Sequence, residues 1–104
     1  MNINIDWLEP WDSLCVNTEY FEKQLYKEVG KTHILYGKQV KAIGRKYDCD
    51  DYLFRVTDTE FTYAVVHLTY STNNNSPNYP RTRVYKDLND WINNCMKPDH
   101  DLYM

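Results

Sequence analysis

A chain of 104 residues, 42% of them hydrophobic, has room for one domain with a single modest core, spanning 1–104. Its formal net charge of −3 argues against a general nucleic-acid binder, which would carry a basic face or stripe. No apolar run reaches the ~20 residues of a membrane helix, and the start MNINIDWLEPW has neither the basic head nor the apolar centre of a signal peptide, so the chain is expected in the cytoplasm and off the membrane.

After Trp7 and Trp11, the segment 12–30 reads as an amphipathic helix, with Leu14, Phe21, Leu25 and Val29 near one face, Asp12 or Ser13 as its cap and Gly30 as its stop. Cys15 would be a small residue within it. The stretch HILYGKQVKAIGRKY turns at Gly37 and continues as a strand in which Val40, Ala42 and Gly44 alternate with Lys41, Ile43 and Arg45. DYLFRVTD places Tyr52, Phe54 and Val56 on one side of a second strand. FTYAVVHLTY is apolar on both faces, Tyr63, Val65 and His67 against Ala64, Val66 and Leu68, which suits a central strand. Residues 71–81 are loop by composition, and TRVY returns as a short strand. Asp87 reads as the N-cap of a final helix, 88–96, which Pro98 should stop, leaving a loose tail. Helix, hairpins and helix, with turns too short for parallel crossovers, predict an α+β fold: an antiparallel sheet of about four strands with an N-terminal and a C-terminal helix packed on one face.

The chemistry-bearing residues do not form a known motif. His33, His67 and His100 lie in separate segments without metal-ligand spacing, and three scattered cysteines suit reduced thiols, so neither metal nor cofactor is expected. His67 reads as a structural histidine that pins the loop after its strand, because a buried imidazole needs partners for its nitrogens. A hydrolase would have to recruit His67, His33 and the acidic cluster 48–51, and nothing in the sequence brings them within the ~3 Å of proton transfer. No catalytic residue is therefore assigned, and the protein is not expected to be an enzyme. The cluster YDCDD lacks the ligand grammar of a calcium loop. It reads either as a solvated turn or as an acidic knob offered to a cationic pocket. Ten tyrosines against three phenylalanines also favour a binding surface, since tyrosine pairs a large apolar face with a polar tip.

The segments WDSL, KEVGKTHILYG, DCDDYLF and AVVHLTYS with PNYPRTRVY resemble a small single-domain bacterial family with a Val-His-Leu-Thr-aromatic strand. Two positions depart from that pattern, Tyr70 standing where tryptophan is expected and Ile34 where proline is. In size, acidity and pairing of sheet with helices the chain is similar to the immunity proteins of contact-dependent growth inhibition and related polymorphic toxin systems. That resemblance implies a cytosolic protein that covers the active site of a cognate toxin domain, a basic nuclease such as an RNase, without touching nucleic acid itself. The other reading is a cytosolic housekeeping or scaffold protein with no toxin partner. Interface chemistry points to two segments: the acidic hairpin with Tyr47, Asp48, Asp50, Asp51 and Tyr52, and the polar loop ending in Asn78 and Tyr79.

Overall fold

A computed structural model describes residues 5–57, 61–70 and 79–103. Strands β1 (Trp11–Ser13), β2 (Val40–Lys46), β3 (Asp51–Val56), β4 (Tyr63–His67) and β5 (Thr82–Tyr85) form one antiparallel sheet in the order β1-β2-β3-β4-β5. Helix α1 (Thr18–Glu28) lies between β1 and β2. The chain ends in α2 (Leu88–Trp91), a π-helical turn (Ile92–Met96) and α3 (Lys97–Tyr103). The fold is α+β, with five strands rather than four. The extra strand is Trp11–Ser13, whose Asp12 and Ser13 were expected to cap and open the first helix. Pairing with β2, Trp11 opposite Lys46 and Ser13 opposite Gly44, outweighs the helical periodicity there. Helix α1 accordingly begins only at Thr18, after Asn17 in the left-handed region at φ 59°, and Cys15 sits exposed in the turn before it.

The pleat sorts the core into two layers. Tyr52, Phe54 and Val56 of β3, with Ala64 and Val66 of β4 and Leu68 beyond it, pack with Leu25 and Val29. Leu53, Tyr63 and Val65 point the other way, onto Trp11, Trp91, Cys95 and Met96. The helices therefore cover opposite faces of the sheet, not one face, and this is why β3 and β4 are apolar on both sides. A bulge in β2 breaks the alternation: the register shifts between Ala42 and Gly44, so Ala42 lies in the α1 layer while both Ile43 and Gly44, the latter opposite Leu53, face the tryptophan layer.

Gly44 is required there by a close approach. A Cβ on it would stand 2.6 Å from Cη2 and 2.8 Å from Cζ3 of Trp7. Gly44→Ala is expected to push the Trp7 indole out of its seat, at about 1–3 kcal/mol of overpacking, with a changed tryptophan emission. Unchanged denaturant midpoint and emission would show that the ring is loosely held.

The C-terminal segment starts as the sequence indicates. Asp87 caps it by accepting from Asp90 N–H at 2.8 Å, and the Asp90 carboxylate accepts from Lys86 N–H at 3.0 Å. It does not stop at Pro98. In an α-helix the proline ring would meet the carbonyl four residues back. The π-helical turn just before it, in which Lys97 N–H reaches Ile92 C=O, changes that spacing and lets the helix run on to Tyr103. Trp11 Nε1–H donates to Asp99 at 2.9 Å and His100 Nδ1 lies 2.7 Å from Glu9 C=O, so the segment expected as a tail is bound to the chain's start. Among the described residues no helix is long and apolar enough to cross a membrane.

Candidate functional site

The end of the sheet where β2 turns into β3 and β4 exits toward β5 carries the groups singled out by sequence. Asp51 faces His67 across β3 and β4, and His67 N–H donates to Arg81 C=O at 3.0 Å, so three distant segments meet side by side. They border an open cleft of about 830 Å³, lined by His33, Ile34, Asp51, Val65, His67 and Thr69 and by the 79–83 segment.

His67 is at the mouth of this cleft rather than inside the core. Its Nδ1–H donates to Asp51 Oδ1 at 2.7 Å, a carboxylate acceptor that leaves Nε2 for other partners. Among the described residues the imidazole is bonded to Asp51 and not to the flanks of the loop. Glu28 and His33 hold those flanks, Thr69 and Tyr70 on one side and Pro80 and Thr82 on the other. Glu28, 3% exposed at the end of α1, accepts from Thr69 N–H and Oγ1–H at 2.8 and 2.6 Å and from Tyr70 N–H at 3.0 Å. His33, 5% exposed, accepts from Leu35 N–H through Nδ1 at 3.0 Å. Its Nε2–H is thereby fixed as the donor, 2.9 Å from Pro80 C=O and 3.1 Å from Thr82 Oγ1. Sequence reasoning missed both pins. A glutamate in the last turn of a helix opposes the helix dipole, and that was the available signal for Glu28.

The expected interface residues divide. Tyr47, Asp48 and Asp50 are exposed on the turn, Tyr47 at 43%. The Tyr47 hydroxyl donates to Glu9 at 2.8 Å, and that bond leads the effects that push its pKa up to about 12. Asp48 lies 3.9 Å from Lys46. Asp51 is half-buried and engaged with His67. Tyr52 is no surface residue: it is 1% exposed, stacked on Phe21 at 4.5 Å, with its hydroxyl 2.8 Å from that of Tyr70. Its pairing opposite Val66 turns it into the α1 layer, which excludes a direct contact with a partner. Tyr79 is 42% exposed and lines the cleft, with the Arg81 guanidinium 5.7 Å from its ring centroid. Asn78 lies outside the described residues.

Of the groups a hydrolase would need, His67 and Asp51 are bonded to each other, while His33 lines the same cleft with both nitrogens engaged. The cleft also holds two arginines that sequence reasoning did not single out. Burial works against the Arg83 cation, but Cys95, Tyr85, Asp51 and Asp99 outweigh it and raise its pKa. Cys95 beneath it is raised to about 11, chiefly by burial, and so stays a thiol at neutral pH. Among the described residues no three His, Cys, Asp or Glu side chains gather as a metal site. Family models, curated proteins and solved structures yield no match to this chain.

Proposed function

We propose that the protein is a cytosolic immunity protein, acting by binding rather than catalysis, that covers the active site of a cognate basic toxin domain, a nuclease of RNase type. The observation that carries this reading is the meeting of two segments of interface chemistry at one end of the sheet. Asp48 and Asp50 present acidic charge on the turn, and Asp51 and Tyr79 line one cleft beside it. Seven of the ten tyrosines are exposed, Tyr47, Tyr70 and Tyr79 among them, and tyrosine supplies rigid amphipathic contact area at low entropic cost. Tyr47 is further tethered through Glu9, which lowers what a partner must immobilise.

Co-purification from the native host and surface-binding kinetics test the reading. Asp48→Lys with Asp50→Lys, which spares the Asp51–His67 bond, is expected to slow association about tenfold at low salt and less at high salt. Tyr79→Ala should chiefly speed dissociation, about tenfold or more. Capture of no toxin domain would sink the immunity reading. Wild-type rates for both variants against a captured toxin would instead move the interface elsewhere.

A further inference from the structure

Two arginines in the cleft have no role in the interface just described. Arg83 lies in β5 and Arg81 immediately precedes it, two residues away, so in extended chain both fall on one face, roughly 6–7 Å apart. It is the face of Val65 and His67: Val65 is opposite Arg83, and Arg81 is bonded to His67 through the backbone. Neither guanidinium is in an ion pair among the described residues. Arg81 lies over the Tyr79 ring, and the bond that Arg83 makes is a long one, 3.9 Å, to the Cys95 thiol. Asp51, the carboxylate lining the cleft, is taken up by His67.

Asp51 and Asp99 favour the Arg83 cation from beyond ion-pair distance, so among the described residues neither guanidinium fork is closed on a carboxylate, and a multivalent anion between them supplies that direct counter-charge. The planar guanidinium fork fits the oxygens of a phosphate group two at a time. The rest of the cleft suits the body of such a ligand. Its volume of about 830 Å³ is that of a small-molecule site, and Ile34, Val65, Tyr79 and Pro80 provide apolar and aromatic wall. We propose that the cleft binds a phosphate monoester of nucleoside-monophosphate size, its phosphate held by Arg81 and Arg83 and its planar body against Tyr79 and Ile34. His67 adds a further contact. With Nδ1–H committed to Asp51, Nε2 accepts from a sugar hydroxyl or from a protonated phosphate oxygen.

This proposal does not rest on the immunity reading, since a protein with no toxin partner would bind the ligand equally. The full chain would be titrated calorimetrically, in phosphate-free buffer, with inorganic phosphate, nucleoside 5′-monophosphates and the uncharged nucleosides. One-to-one binding of a monophosphate is expected, weaker binding of inorganic phosphate, and none of the nucleosides. Arg81→Gln and Arg83→Gln should each weaken the monophosphate about tenfold or more, while Lys23→Gln, on α1, leaves it unchanged. Failure of every monophosphate to saturate at millimolar concentration overturns the proposal. So does nucleoside binding equal to nucleotide binding, or an affinity that survives both arginine substitutions. Should the arginine variants not fold, amide shifts of the wild-type protein decide: perturbation at Ile34, Thr82 and Arg83 upholds the cleft, and shifts clustered elsewhere reject it.

Discussion

Glu28→Ala is expected to lower the unfolding free energy by about 3–4 kcal/mol, a large share of what a domain of this size possesses. The carboxylate, almost completely buried, accepts four hydrogen bonds from the described residues. Gln24 Nε2–H donates at 2.8 Å, Thr69 through its N–H and its hydroxyl, and Tyr70 through its N–H. Bonds to a charged group contribute about 1.5–3 kcal/mol each, but they are not additive, and water can enter part of the space that alanine leaves. The loss is therefore set by backbone donors stripped of their acceptor in a partly buried position. Tyr70 is held at φ 59°, uncommon for a residue with a side chain, and its N–H bond to Glu28 is one of the constraints that keep it there. Glu28→Gln keeps one acceptor oxygen but turns an amide toward the donors, so about half the loss is expected. Equilibrium denaturation of both variants checks this. A loss below about 1 kcal/mol for alanine would mean that the Thr69–Tyr70 turn is secured by other contacts.

The same residue marks the limit of what sequence could tell. Strands β3 and β4 were legible because their apolar positions repeat every two residues, and Asp87 because an N-cap is a local device. Local periodicity cannot say which face of a sheet a helix will cover. Leu25 and Trp91 look equally core-like in the sequence, and only the parity of Phe54 against Leu53 sends them to opposite sides. The bulge at Ile43 shifts parity within β2, a change no alternation rule anticipates. In the site, the exposed acids Asp48 and Asp50 could be read from composition, because a turn of aspartates is solvated wherever it lies. Tyr52 was misjudged as a surface flank of that turn. Its own alternation with Phe54 and Val56 already put it inside. The R-T-R spacing of Arg81 and Arg83 was visible as well, but that neither makes a carboxylate ion pair among the described residues is a property of the assembled sheet.

Trp91→Ala is expected to cost about 3–5 kcal/mol, whereas Trp91→Phe should cost only about 1 kcal/mol or less. Trp91 is 0% exposed and meets Trp7 and Trp11 edge to face, with ring centroids 5.9 and 5.3 Å away. Truncation to alanine leaves a cavity beneath Leu53, Val65 and Met96 that a five-stranded sheet cannot easily close. The indole N–H, however, finds no acceptor among the described residues. An orphan donor of this kind costs about 1–3 kcal/mol, so phenylalanine removes a penalty along with some apolar volume, and the two largely offset. Trp11 supplies the contrast within the same cluster. Its N–H donates to Asp99, which also lies 3.9 Å from Lys46. Trp11→Phe strips that carboxylate of a donor and should cost about 2–3 kcal/mol, clearly more than the same change at Trp91. Guanidinium denaturation of the two phenylalanine variants, with fluorescence of the remaining tryptophans as probe, measures the difference. Equal losses would show that Trp91 N–H is satisfied after all, by an acceptor such as a buried water, and that the two indoles are held alike.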